Sequence, residues 1–375
     1  MRFRIDASGS VRVARPAGCA APQRQRTARA WSALAASLLF SACATNPPVE
    51  YAVDIPPGVT DARGRFGEIY CAVLEGHGHD LPDYRSCEAA QSRVSSQPAG
   101  MGRPVDLGPS HRQLLAAIVP GIGYGCFAAW LEPPGTAAAH VSKFGFGMVG
   151  IEVDALSGTA TNARQIRDAI LAMPVVEGLP RIVLVGYSKG TPDILEAVVR
   201  YPEIHDRLAA VVSVAGAVSG SALADDAEQW QADLLRHWPK ADCDPGDGGG
   251  VASLRPEVRK AWLAQNPLPS NVRFYSVVTL PDPERISRIV RSSYKKLGQI
   301  DWRNDSQVIY FDQIVPGSTL LGFLNADHWA VAVPLDRSHT IIGASLADKN
   351  DYPREAMLEA VLRFVEEDLA HSPPR

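Results

Sequence analysis

Val183-Leu184-Val185-Gly186-Tyr187-Ser188-Lys189-Gly190 runs as an apolar stretch into Gly-x-Ser-x-Gly, and the helical pattern Asp193-Ile-Leu-Glu-Ala-Val-Val-Arg200 follows at once. Strand, tight turn and helix in that order form the setting in which a serine becomes a nucleophile. The two glycines have a steric role, because the turn needs dihedrals that a side chain obstructs and because strand and helix pass close to it. Ser188 is therefore expected at the carboxyl end of a strand, as the candidate nucleophile. The plainer alternative is a strand-to-helix turn that happens to contain a serine.

Outward from this stretch, apolar runs alternate with helical patterns. Leu114 to Val119 has the continuous apolarity of a strand covered on both faces, and it runs into the glycine-rich Pro120-Gly121-Ile122-Gly123-Tyr124-Gly125. Further strands are expected at Met148 to Val153, Ile182 to Val185, Leu208 to Val214, Val272 to Thr279 and Thr319 to Leu324. Helices are expected at Asn162 to Leu171, Asp193 to Arg200 and Pro353 to Leu369. Such alternation defines an α/β class with a mostly parallel sheet and helices on both faces. At 375 residues, 46% of them apolar, the chain suits one catalytic domain (111–375) with extensions.

Residues 44–110 read as a linker and a small helical pre-domain, with the helix between Arg65 and Val94. Between Ser219 and Pro269 the alternation breaks. Ala227 to Trp238 spaces Trp230, Leu234 and Trp238 four apart, and the glycine-rich Asp244 to Gly250 follows. A lid inserted at about 220–270 and an ordinary covering helix explain this equally well.

The first 43 residues have the form of an export signal: basic Arg24, Arg26 and Arg29, then the apolar Trp31 to Phe40, too short to span a bilayer. Phe40-Ser41-Ala42-Cys43 resembles the lipobox of bacterial lipoproteins, with Phe where Leu is commonest. The resemblance implies lipidation of Cys43 and a membrane-anchored protein of the bacterial cell envelope; plain cleavage to a periplasmic or secreted form is the alternative. Export places Cys71, Cys87, Cys126 and Cys243 where disulfides persist. Cys71 with Cys87 and Cys126 with Cys243 is the favoured pairing, against four free thiols. A formal charge of −4 and the lack of a basic run with interleaved aromatics in the mature chain argue against nucleic acid as a partner. His77 and His79 in Gly-His-Gly-His-Asp lack further ligand spacing, so no metal is expected.

A serine hydroxyl needs a base within hydrogen-bond reach and a third group that fixes the base's tautomer. Nine histidines compete, and Asn325-Ala-Asp-His328-Trp329 follows the expected strand Thr319 to Leu324 directly. For the acid, Asp282, Asp305, Asp312 and Asp327 all stand between the last strands.

Gly-x-Ser-x-Gly in this setting, the strand and helix alternation, and Asn304-Asp305-Ser306-Gln307-Val308 together resemble the α/β-hydrolases of the bacterial esterase and lipase kind. The last segment is similar to their Asn-Asp-Gly-x-Val, with Ser306 at the glycine position. The resemblance covers Leu114 to Leu369 and implies the chain order Ser188, Asp305, His328 for a triad. It also implies an oxyanion hole from the backbone N–H groups of Ile122 and Lys189, with Pro120-Gly121 where the family usually has His-Gly. The function it implies is hydrolysis of small-molecule or lipid carboxylic esters without a cofactor. Two alternatives stay open: another acyl transfer (thioesterase, acyltransferase or peptidase) and a non-catalytic envelope lipoprotein that kept the fold.

Overall fold

In the computed structural model the described residues are 49–127, 135–174, 181–226, 244–338 and 345–371. The expected export signal with Cys43, the helix Ala227 to Trp238 and Cys243 lie outside them. Seven strands form one sheet: β1 (Thr60–Asp61), β2 (Leu115–Val119), β3 (Gly147–Gly150), β4 (Ile182–Tyr187), β5 (Leu208–Val214), β6 (Phe274–Thr279) and β7 (Thr319–Leu324). Their order is β1-β7-β6-β5-β4-β2-β3, and every neighbouring pair is parallel. Among the described residues the helices of eight residues or more are α1 (Arg63–His77), α2 (Gly135–Ser142), α3 (Thr159–Ala172), α4 (Gly190–Arg200), α5 (Pro256–Gln265) and α6 (Arg354–His371).

Strand β4 shows why helices cover both faces. All six of its residues are buried, and side chains alternate across a strand. Val183, Val185 and Tyr187 enter one core with Phe66, Tyr70 and Val73 of α1, Val141 of α2 and Val361 and Val365 of α6. Ile182 and Leu184 enter the other with Ile166 and Ile170 of α3 and Ile194 and Val198 of α4. The continuous apolar runs in the sequence are the signature of this two-sided burial.

Three boundaries differ from the sequence expectations. Strand β3 ends at Gly150, and the chain then turns so that the Asp154 carbonyl accepts Asn162 Nδ2. The segment expected as a linker and small helical pre-domain packs on the hydrolase core: α1 lies on the sheet, Arg65 bonds Glu367 of α6, and β1 pairs with β7 at the sheet edge. The apolar face of α1 finds its partner nearly three hundred residues away, which no local pattern records. The glycine stretch 244–250 is anchored as well. Asp247 accepts hydrogen bonds from Gly158 N and Gly249 N at 2.8 Å and from Thr161 Oγ1, at the start of α3.

Cys71 and Cys87 form a disulfide, their Cα atoms 4.9 Å apart, and it joins α1 to the short helix Cys87–Ala90. Cys126 is also disulfide-bonded. No helix among the described residues is long and apolar enough to cross a membrane.

Candidate active site

The chain passes from β2 to the edge strand β3 and returns across β2 to β4, so the strand order reverses between β2 and β4. Crevices at such reversals, at the carboxyl ends of the strands, are where open α/β sheets hold reactants. The Pro120–Gly123 loop and the turn carrying Ser188 both leave the sheet at that point.

Ser188 sits in that turn with φ of +53°, in the left-handed region that side chains rarely occupy. Its N–H donates to the Val214 carbonyl at 3.2 Å, and its own carbonyl accepts Ala217 N at 3.1 Å, tying the turn to the end of β5. The need for the flanking glycines is quantitative. A Cβ at Gly186 lies 2.7 Å from the Thr191 backbone, and one at Gly190 lies 2.2 Å from the Val119 carbonyl oxygen.

Ser188 Oγ lies 2.8 Å from His328 Nε2, and His328 Nδ1 lies 2.7 Å from Asp305 Oδ2. All three side chains are buried. His328 is held by its backbone, since its N–H donates to the Asp305 carbonyl at 2.8 Å and its carbonyl accepts the Tyr187 hydroxyl at 2.7 Å. Burial raises the Tyr187 pKa well above its ordinary value, so that hydroxyl stays a donor.

Asp305 is the most heavily bonded carboxylate of the group. Oδ1 accepts the N–H groups of Gln307 and Val308 at 2.9 and 2.7 Å; Oδ2 accepts Thr279 Oγ1 at 2.6 Å and Gln313 Nε2 at 3.2 Å besides the imidazole. This gives the Asn-Asp-x-x-Val segment a physical reading. Asn304 Oδ1 accepts Ser306 N at 2.9 Å, Asp305 closes the turn onto Val308, and residue 306 takes φ of +86°. Glycine suits that position, and here Ser306 occupies it.

The competing carboxylates have other partners. Asp327 accepts Ser287 N, Trp329 N and Ala330 N and so caps the turn after His328; burial raises its pKa, with Asp305 adding to the shift. Asp282 accepts Asn325 Nδ2 at 2.9 Å. Asp312, expected as a possible loop acid, is buried, and desolvation pushes its carboxyl up to about 6.

The N–H groups of Ile122 and Lys189 donate to no described residue. A Cβ on Gly121 would stand 3.0 Å from Ser188 Cβ, which places the glycine loop against the nucleophile turn. Two such amides beside a serine, one on the half-buried Ile122 and one on the buried Lys189, are suited to receive a developing oxyanion.

Sequence reasoning missed the support under this site. The Lys189 ammonium is buried and bonds both oxygens of Asp193 at 2.7 and 2.8 Å; Asn162 Nδ2 adds a third bond at 2.8 Å. Burial raises the Asp193 pKa, against the opposing pull of Lys189. Arg259 of α5 is buried nearby, its pKa lowered to about 10 by desolvation, with Glu196 and Asp193 opposing. The available signal was two carboxylates, Asp193 and Glu196, inside an otherwise apolar helix. His77, once weighed as a metal ligand, shares the buried Glu359 with His140 and Arg363 instead. Among the described residues no group of three or more ligating side chains is placed to hold a metal ion.

No family model matches the chain, and no curated protein does. Among solved structures, the metagenomic carboxyl esterase MGS0156 is similar at 38% identity, over 84% of this chain and 96% of that one, with a TM-score of 0.77. The mature lipase BlEst2 of Bacillus licheniformis is similar at 20% identity, over 61% of this chain and 89% of its own, with a TM-score of 0.49. For the Staphylococcus hyicus lipase the values are 12%, 71%, 99% and 0.48. The first of these likenesses carries the assignment alone. This chain belongs to the α/β-hydrolase superfamily and has its fold.

Proposed function

We propose that this chain is an ester-hydrolysing enzyme that works through an acyl-enzyme on Ser188. His328 Nε2 removes the Ser188 proton as Oγ attacks the ester carbonyl carbon, and the N–H groups of Ile122 and Lys189 receive the oxyanion. The imidazolium then protonates the leaving alcohol. Water, activated by the same imidazole, attacks the acyl-enzyme, and the proton returns to Ser188 as the carboxylic acid departs. Asp305 accepts the hydrogen bond from Nδ1–H throughout, fixing the tautomer and stabilising the imidazolium. The observation that carries this reading is the unbroken hydrogen-bonded line from Ser188 Oγ through His328 to Asp305. The 38% identity to a carboxyl esterase supports the ester as the bond cleaved.

The test is a fluorophosphonate probe with adduct mapping, alongside turnover of a simple ester. We expect one adduct, on Ser188, and a loss on the order of 10⁶ in turnover for Ser188→Ala or His328→Ala, because the triad acts as a unit. A folded Ser188→Ala protein with near-normal turnover refutes the assignment. We further propose that the protein is anchored in the cell envelope through a lipid on Cys43, on the strength of the lipobox-like sequence. Mass spectrometry that finds an unmodified mature N-terminus at or beyond Cys43 overturns this.

A further inference from the structure

A small cavity opens beside Ser188, and its lining includes Ile122, Ala217, Ala224, Val251, Leu254 and Val308. The same six residues form an apolar cluster distinct from the cores that cover the two faces of the sheet. Among the described residues no charged side chain lines the cavity, and neither does His328. The last point decides which half of an ester belongs there. The leaving alcohol must take its proton from His328 Nε2, so it departs on the imidazole side of Ser188. A cavity beside Ser188 that His328 does not line is suited to the acyl chain instead.

Its size decides how much chain fits. The volume is about 30 Å³. A water-sized group needs roughly 10–15 Å³ on the same measure, so two or three non-hydrogen atoms are accommodated beyond the carbonyl carbon. The walls are laced together rather than loosely apposed. Ser221 N donates to the Leu254 carbonyl at 2.9 Å, and the Ser221 hydroxyl donates to the Gln307 carbonyl. Gly220, at φ of +94°, has the Leu254 carbonyl oxygen 2.5 Å from where a Cβ would stand. Widening the cavity means breaking these contacts.

Building on the acyl-enzyme reading, we infer that this cavity is the acyl subsite and that it selects esters of short, uncharged, straight-chain acids of about two to four carbons. The alcohol portion is not constrained by it. The experiment measures kcat/KM for p-nitrophenyl acetate, butyrate, hexanoate and octanoate with the full chain. The expected profile peaks at or below butyrate and falls at least about a hundredfold by octanoate, since each misfitting methylene discriminates by roughly tenfold or more. Leu254→Ala removes a wall and should raise the hexanoate-to-butyrate ratio about tenfold; Ala224→Leu fills the space and should lower the butyrate-to-acetate ratio by a similar factor. The two variants change volume in opposite directions, so failure of one to fold leaves the other decisive. A parent profile that peaks at octanoate, or ratios unmoved in a folded variant, overturns the acyl subsite while Ser188 labelling by fluorophosphonate leaves ester hydrolysis standing. Absence of both labelling and turnover on every ester overturns the two together.

Discussion

Replacing Asp193 by leucine should leave the Lys189 ammonium buried beneath the nucleophile turn without its carboxylate. Each of the two side chains is only 1% exposed, and three hydrogen bonds at 2.7–2.8 Å hold the carboxylate, two from Lys189 and one from Asn162. Breaking one side of such a pair costs about 3–5 kcal/mol, a large part of the roughly 5–15 kcal/mol that holds a domain folded. Lys189→Met should have a comparable effect. The double variant Lys189→Met/Asp193→Leu removes both charges together, and burying two apolar groups in their place should return stability to within about 2 kcal/mol of the parent. The expected coupling energy is therefore at least about 4 kcal/mol in a double-mutant cycle, read from urea unfolding followed by circular dichroism. Turnover should separate from stability. The double variant should recover its fold, yet its kcat should stay roughly tenfold low, because the pair also fixes the residue whose amide we propose receives the oxyanion. Additive single effects, with coupling below about 1 kcal/mol, would refute the claim that this pair is desolvated and acts as a unit.

Asp305→Asn should lower turnover about 10⁴-fold with the fold retained, as the amide favours the wrong imidazole tautomer, which steady-state kinetics on one ester will show. Asp312→Asn should instead stabilise the protein: its folded pKa of about 6 lies above the ordinary 3.8, so stability is fully present below pH 3.8 and is lost as the pH rises through 6. The substitution should gain about 3 kcal/mol at pH 7 and nothing at pH 3.5, measured by denaturant unfolding at both values. Ser306→Gly relieves a left-handed backbone strain of about 1–2 kcal/mol and restores about 0.5–1 kcal/mol of chain entropy to the unfolded state, a net gain below about 1 kcal/mol that calorimetry can resolve.

Strands β2, β4, β5, β6 and β7 were legible because two-sided burial writes a mostly apolar run into each, broken only by small polar residues such as Ser213 and Ser276. The nucleophile turn was legible because the glycines at 186 and 190 have no sterically allowed replacement. Asp305 could be separated from its rivals only through the Asn-Asp-x-x-Val segment, whose residues each form a bond of the turn. Strand β1 left no signal: two partly polar residues become a strand only through β7. The support from Thr279, Gln313 and Asn162 was equally hidden, since a polar residue's burial depends on partners brought together by the sheet rather than by neighbours in sequence. Asp312 misled for the same reason, being a carboxylate in a loop that folds inward.

The contact of α1 with α6, and of β1 with β7, sets the order in which the molecule can be completed during synthesis. Among the described residues the earliest elements made, β1 and α1, cannot reach their places until β7 and α6 have emerged, and the long sequence separation of those contacts slows their formation. A growing chain of this protein therefore stays open along one edge and one face until its carboxyl end is released. Turnover, which in the proposed mechanism also needs His328 from beyond β7, should be the last property a refolding chain recovers.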